Sequence, residues 1–166
     1  YFKRPEELSG DSIKTIQSLR YCINRSENEL GIKIKNIVVL QPSSPLVSIE
    51  SINTAISKYN QESLDLLVSF SELPININDC ISTEKDTIIK KITKEYLASD
   101  NVLFESGGIY ILSKDRLFNK PDPFNVESIN SIFRIPLIEF VDVDYHSQFQ
   151  LAKVLYNGTQ IEKSDV

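Results

Sequence analysis

Apolar residues recur along the chain with two different periods, which predicts both helices and strands. Between Asp11 and about Arg25 they are spaced by three or four positions, as expected of a helix with one buried face. Ser9 or Asp11 is a candidate for the residue that caps its start. Ser48 can cap a second helix. The apolar stripe of this second helix consists of Ile49, Ile52, Ile56 and Tyr59.

Short apolar runs between and after these helices predict strands. Ile37 to Leu40 is a continuous run, which is typical of a strand buried on both faces of a parallel sheet. Leu66 to Phe70 predicts a second buried strand. The remaining predicted elements are strands at Gly108 to Leu112 and Leu137 to Val143 and a closing helix from Tyr145 to Tyr156, stopped by Gly158.

This alternation of strands and helices predicts an α/β fold with a mainly parallel sheet and helices on both faces. A length of 166 residues, of which 41% are hydrophobic, fits one domain built around a single core. The stretch from Pro74 to about Asn101 has no clear period, so no element is predicted there.

Charge and cysteine content exclude several classes of function. With a net charge of −5, the chain has no excess of Lys and Arg for binding nucleic acid. Cys22 and Cys80 lie far apart and no Cys/His cluster accompanies them, so we expect neither zinc nor a disulfide framework and infer a cytoplasmic protein. No apolar run approaches the roughly 20 residues that cross a bilayer, so no membrane partner is expected.

Two carboxylates stand two positions apart in the predicted strand that ends near Asp144. On a strand, Asp142 and Asp144 would point to the same face and would repel each other unless a cation lay between them. Hard oxygen ligands suit Mg²⁺, which commonly accompanies nucleoside triphosphates. The alternative is that Asp144 caps the following helix while Asp142 is solvated at the end of the strand.

The loop from Gln41 to Leu46 contains two prolines and two serines directly after a predicted strand. Open α/β sheets bind ligands beyond the carboxyl ends of their strands. A stiff loop lowers the entropy cost of holding Gln41 and the hydroxyls of Ser43 and Ser44 toward a ligand. The alternative is that Pro and Ser are present only because the chain turns here.

Two further segments could contact a ligand. The guanidinium of Arg4 precedes a turn and a helix start, and its fork matches phosphate or carboxylate groups. The glycines of Ser106-Gly107-Gly108 would let a ligand approach the backbone closely. A solvated arginine and a simple turn are the alternatives.

Taken in order, these segments resemble the acylneuraminate cytidylyltransferases, which activate sialic acid and relatives such as legionaminic and pseudaminic acids. The matching segments are Arg4 to Asp11 with R-P-x-E-L, Leu40 to Leu46 with L-Q-P-T-S-P-L, Ser106 to Tyr110 with N-G-A-I-Y, and Asp142 with Asp144 as D-x-D. Val47 and Ser106 stand where the family has arginine and asparagine.

The resemblance implies a cytoplasmic, homodimeric enzyme that transfers CMP from CTP to a nine-carbon acidic sugar and releases pyrophosphate. It also implies the three-layer, Rossmann-like fold of nucleotide-diphospho-sugar transferases, with an insertion at residues 74–103 that forms the dimer. Asp142 and Asp144 would be the catalytic residues and hold Mg²⁺. The implied substrate-binding residues are Arg4, Thr15, Gln41, Ser43, Ser106, Gly107 and Tyr110.

The family's first segment, a strand and a basic glycine-containing loop that cradles the triphosphate, is not in this sequence. We therefore expect a cytidylyltransferase-like domain that is either a piece of a longer protein or inactive as it stands. Two other classes stay open. One is a degenerate, non-catalytic module that keeps the nucleotidyltransferase-like sheet for association. The other is a metal-dependent glycosyltransferase whose D-x-D binds a nucleotide sugar.

Overall fold

The structure is a computed structural model that describes residues 3–10, 12–72, 81–84, 87–91, 102–129 and 131–164. Its helices are α1 (Thr15–Leu30), α2 (Ile49–Gln61), α3 (Lys114–Asn119) and α4 (His146–Ser164). Its strands are β1 (Asn36–Leu40), β2 (Leu66–Glu72), β3 (Ile81–Glu84), β4 (Thr87–Lys91), β5 (Leu103–Ser113) and β6 (Phe133–Arg134). Short 3₁₀ turns occupy Glu6–Leu8, Val126–Ser128 and Leu137–Glu139.

Four strands form an open sheet in the order β1-β5-β2-β6. β5 is antiparallel to both β1 and β2, whereas β2 and β6 are parallel. The α/β class is therefore confirmed, but the sheet is mixed, which corrects the prediction of a mainly parallel sheet. The correction has a physical reason, because an apolar run indicates that a strand is buried and carries no information on its direction.

Helices α1 and α2 pack against different faces of the sheet. Leu66 and Val68 belong to a cluster with Ile23 of α1, whereas Leu67 belongs to a second cluster with Ala55 and Tyr59 of α2. Successive side chains of a strand point to opposite faces, so the two clusters lie on either side of β2. The predicted apolar stripe of α1 thus faces the sheet, as do Ile52, Ile56 and Tyr59 of α2. Ile49 is 78% exposed, which corrects its place in the predicted stripe of α2.

Strand β1 is less buried than predicted. It lies at the end of the strand order, so β5 is its single partner among the described strands. Ile37 is buried, but Val38 and Leu40 are exposed. A continuous apolar run was therefore a wrong indicator of burial on both faces here, because an edge position leaves part of the strand uncovered.

The predicted strand from Leu137 to Val143 is wrong. Pairing with β2 takes place earlier, at β6, and is extended by a hydrogen bond from Ile135 N to Phe70 O of 2.9 Å. Pro136 follows, and proline has no N–H to continue a ladder. The chain then forms the turn Leu137–Glu139, so Asp142 and Asp144 do not lie on a strand.

Two helix ends differ from prediction. Helix α1 begins at Thr15, and Gln17 Oε1 accepts a hydrogen bond from Lys14 N at 3.2 Å, so Ser9 is not the cap. Asp11, the other predicted cap, lies outside the described residues. Helix α4 continues past Gly158, since glycine inside a helix costs only about 1 kcal/mol relative to alanine.

The predicted insertion at residues 74–103 is described in part. β3 and β4 form an antiparallel hairpin within it, and residues 73–80, 85–86 and 92–101 lie outside the described part. A role of the insertion in a dimer stays a prediction. None of the described helices is long and apolar enough to span a bilayer.

Arg116 of α3 is the most connected buried charge in the described part of the fold. It is 4% exposed, and its guanidinium donates to Pro123 O (2.7 Å), to Asn125 O (3.3 Å) and to Asp65 Oδ2 (3.1 Å). These bonds tie the segment after α3 to the start of β2. Each buried acceptor that loses its donor costs about 1–3 kcal/mol.

We therefore predict that Arg116→Ala lowers the free energy of unfolding by about 3 kcal/mol, measured by urea denaturation. Arg134→Ala is the matched control, because Arg134 has a side chain 55% exposed and a long ion pair of 3.7 Å to Glu72. Its expected loss is below about 0.5 kcal/mol. Equal losses in the two variants would contradict the assignment of Arg116 as a structural anchor.

Candidate functional site

The loop after β1 forms one wall of the candidate site. Ser44 N donates to Gln41 O at 3.0 Å, which closes a turn directly after Leu40. The turn buries Ser44 and leaves Gln41 and Ser43 half-buried. The amide side chain of Gln41 makes no hydrogen bond to the described residues, so it is available to a ligand.

The acidic segment lies beside this loop. Val143 N donates to Ser43 O at 2.7 Å, although the two residues are one hundred positions apart. Ser48 N donates to Glu139 Oε2 at 3.2 Å, which joins the same two segments at a second point. The loop and the acidic segment, which the sequence singled out separately, are therefore neighbours.

Asp142 and Ser44 each carry a buried polar atom without a partner. Within the described part of the chain, Asp142 Oδ1 and Ser44 Oγ have no hydrogen-bond partner. Buried polar atoms are normally paired, because leaving one unpaired costs about 1–3 kcal/mol. A cation or a donor group would complete the pairing of these two atoms, and the third such atom in the described part of the chain is Ser71 Oγ on β2.

Gly107 leaves open the space beside the carboxylate of Asp142 and the hydroxyl of Ser44. Its φ of 71° is left-handed, a conformation that glycine adopts without strain. A Cβ at this position would lie 3.2 Å from Asp142 Oδ2 and 3.7 Å from Ser44 Oγ. Three of the segments singled out in the sequence thus meet at one point, namely Gly107, Asp142 and the loop residue Ser44.

Gly108 lets the end of the loop pack on the backbone of β5. A Cβ at position 108 would lie 2.7 Å from Val47 Cγ2, which is closer than real Cβ atoms approach. Val47 also packs against the apolar cluster on the α2 face. The glycine therefore sets how closely the loop can approach the sheet.

Ser106 is hydrogen-bonded within the sheet, and its predicted contact with a substrate stays a prediction. It is 1% exposed, and its hydroxyl donates to Ser69 O at 3.0 Å. The Ser69 hydroxyl in turn accepts from Ile109 N at 2.9 Å. The register of β2 and β5 shifts between Val68 and Phe70, so these hydroxyls replace ladder bonds at an irregularity. The role of Ser69 was not predicted from the sequence, although a serine inside the apolar run Leu66 to Phe70 indicates a buried polar group.

Tyr110 is likewise part of the interior. It is buried in the cluster on the α1 face, with its ring edge-on to Phe124 at 5.2 Å between centroids. Its hydroxyl donates to Glu105 Oε1 at 2.6 Å. Burial, together with this carboxylate, raises the pKa of Tyr110 above its ordinary value. Its hydroxyl is therefore already engaged, and its predicted role in substrate binding is not supported by this placement.

Asp144 is exposed and does not cap α4. Gln148 Oε1 performs that role by accepting from Asp144 N at 2.8 Å and from Tyr145 N at 2.7 Å. The side chain of Asp144 forms no hydrogen bond or ion pair with the described residues. Because Asp142 and Asp144 are not on a strand, their separation by two positions does not imply that their side chains point to the same face. No group of three or more His, Cys, Asp or Glu in the described part is arranged to hold a metal ion.

Arg4 precedes the 3₁₀ turn Glu6–Leu8, and Thr15 is the first residue of α1. Arg4 donates to Ser18 Oγ at 3.4 Å and lines a groove of about 520 Å³ with Lys3 and Arg25. Thr15 is exposed at the first position of α1. No contact among the described residues joins Arg4 or Thr15 to Asp142, so their predicted roles stay predictions.

Comparison with known protein families finds no match to this chain. Comparison with curated proteins also finds no significant match.

We predict that Gly108→Ala destabilises the fold by about 1–3 kcal/mol, because the added methyl group collides with Val47. Adding Val47→Ala to this variant removes the colliding methyl and should recover most of the loss. Urea denaturation of both single variants and the double variant measures the coupling energy. Gly10→Ala is the control, since nothing lies within 4 Å of a Cβ at position 10. If the changes in unfolding free energy of the two single variants add up to that of the double variant, a direct collision between position 108 and Val47 is contradicted.

Proposed function

We propose that this chain belongs to a nucleotidyltransferase of the acylneuraminate cytidylyltransferase type. The observation that carries the proposal is the meeting of Asp142, the Gln41–Leu46 loop and Gly107 at the end of β1. These are three of the four segments on which the resemblance to that family depends. The mixed sheet with α1 and α2 on different faces is compatible with the three-layer, Rossmann-like fold that we propose for it.

A divalent cation fits the chemistry of Asp142. Its Oδ1 is buried without a partner, and hard carboxylate oxygens are the ligands that Mg²⁺ prefers. Mg²⁺ is commonly held by one or two carboxylates together with water and substrate phosphates, so a larger acidic cluster is not required. Asp142 and Asp144 would hold Mg²⁺, and the bound ion would neutralise charge on the phosphates of CTP.

The loop would hold the sugar. Gln41 has a free amide, and Ser44 has an unpaired hydroxyl on the same rigid turn, so both can hydrogen-bond to hydroxyl or carboxylate groups of a nine-carbon acidic sugar. Gly107 presents no side chain, which leaves room for the sugar to approach the backbone. Because the loop is held by backbone hydrogen bonds, little entropy is lost when the ligand binds.

The proposed reaction is an in-line displacement. The anomeric hydroxyl of the sugar attacks the α-phosphorus of CTP, and its oxygen forms the new bond as the bond to the β-phosphate oxygen breaks. Pyrophosphate leaves and the hydroxyl proton is released. This chain's residues contribute by orientation, since catalysis of phosphoryl transfer consists largely of positioning and charge stabilisation. A homodimer formed through residues 74–103 is part of the same proposal.

In a protein that joins this chain to the family's triphosphate-cradling segment, the proposal predicts that CTP binds with Mg²⁺. Asp142→Asn should weaken this binding at least about tenfold, because a carboxylate ligand becomes a neutral amide. Isothermal titration calorimetry measures both affinities. Asp115→Asn is the matched control, since Asp115 is an exposed aspartate on α3 whose one hydrogen-bond donor among the described residues is Asn119.

Two results of this titration would overturn the proposal. Binding of a nucleotide sugar without binding of CTP would favour a glycosyltransferase. Absence of heat with any nucleotide, or an Asp142→Asn variant that binds as the wild type does, would favour an association module without catalytic function.

A further inference from the structure

Glu139 is a buried carboxyl group that the proposed chemistry does not use. It ends the 3₁₀ turn Leu137–Glu139 and is 6% exposed. Its Oε2 accepts a hydrogen bond from Ser48 N at 3.2 Å. Burying a carboxyl group costs free energy unless hydrogen bonds and charge compensate it, so its position needs a physical explanation.

The start of α2 supplies that compensation. Ser48 is the N-cap of α2, and its own hydroxyl accepts from Ser51 N at 3.0 Å. The first N–H groups of a helix lack partners within the helix and carry partial positive charge. Glu139 therefore satisfies one donor at this end of the helix, while the hydroxyl of Ser48 satisfies another.

The hydrogen bond between Ser48 and Glu139 joins the two segments that carry Ser44 and Asp142. Glu139 precedes Asp142 by three residues, and Ser48 follows Ser44 by four. A second bond joins the same two segments, since Val143 N donates to Ser43 O at 2.7 Å. The loop and the acidic segment are thus fastened to each other at two points, and Ser44 and Asp142 lie within the fastened stretches. A shift of one segment along the other would break both bonds.

We propose that Glu139 is a positioning residue, which fixes the loop 41–48 against the segment 139–143 and so holds Ser44 and Asp142 together in front of Gly107. The effect of Glu139 on nucleotide affinity rests on the proposed function, whereas its effect on the two segments does not. Glu139 touches no substrate in this assignment and acts only through the loop.

Amide hydrogen exchange of Glu139 variants tests the positioning directly. Glu139→Ala removes the acceptor, and Glu139→Asp keeps the carboxyl group but shortens the side chain by one methylene, so neither can reach Ser48 N. In both variants, the amide hydrogens of Ser48 and Val143 should exchange with solvent at least about tenfold faster than in the wild type. Leu67 and Val68 in β2 should exchange as in the wild type, which separates a local effect from general destabilisation.

Glu139→Gln provides the rescue, because its amide oxygen keeps both the reach and the acceptor. It should restore most of the protection at Ser48 and Val143. Glu127→Ala is the matched control, since Glu127 is an exposed glutamate in another 3₁₀ turn. If Glu139→Ala does not fold, the Asp variant carries the test, because it leaves a smaller gap.

The affinity for CTP with Mg²⁺ is measured on the same variants, joined to the triphosphate-cradling segment. We expect Glu139→Asp to bind about tenfold more weakly and Glu139→Gln to bind nearly as the wild type. Unchanged exchange at Val143 in the Ala and Asp variants would overturn the positioning role, as would equal acceleration in β2. A wild type that binds no nucleotide would instead overturn the proposed function, and the exchange result would still decide the role of Glu139.

Discussion

The antiparallel pairing of β5 between β1 and β2 is the constraint on which the candidate site depends. Leu40 at the carboxyl end of β1 pairs with Ile109, so the residues that precede Ile109 lie next to the loop that follows Leu40. A parallel β5 would have put its glycines at the opposite edge of the sheet. Reversal of this strand therefore brings Gly107 and Gly108 to the loop, and the acidic segment reaches the same place because the chain leaves β6 at Pro136.

A local irregularity completes the arrangement. At the shift in register between β2 and β5, the hydroxyls of Ser69 and Ser106 lie 2.7 Å apart and take over bonds that a regular ladder would make. Gly107 follows directly in a left-handed conformation. Bulges are common next to functional sites because they redirect the chain while keeping buried polar groups paired. Ser69 and Ser106 differ in this respect from Ser44 and Asp142, which each have a buried atom without a partner, as does Ser71 two residues after Ser69 on β2.

Much of the helical structure could be predicted from the sequence, and much of the site geometry could not. The apolar stripes of α1 and α2 were visible as periodicity. Strands β1 and β2 and part of β5 were visible as short apolar runs. The direction of β5 was not, because apolar runs report burial alone. The strand predicted at Leu137 to Val143 was wrong because Pro136, which has no N–H, ends the pairing with β2. The nearness of Asp142 to the loop arises from hydrogen bonds at Ser43 and Ser48, which no sequence pattern indicates. Glu139 gave no signal, since it stands inside an apolar run.

The unpaired atoms at Asp142 and Ser44 bear on whether this surface serves association or chemistry. A module kept only for its fold would be more stable with Asn or Ala at these positions, since each unpaired buried polar atom costs about 1–3 kcal/mol. Local violations of polar pairing in an otherwise consistent structure are expected where a ligand completes the set. Val143 N donates to Ser43 O and Ser48 N donates to Glu139 Oε2, so the two segments are paired on both sides of these atoms. Of the three buried side-chain atoms without a partner in the described part of the chain, Asp142 Oδ1 and Ser44 Oγ belong to these two segments, whereas Ser71 Oγ lies on β2. Under the proposed function, a cation and a sugar hydroxyl would satisfy the first two.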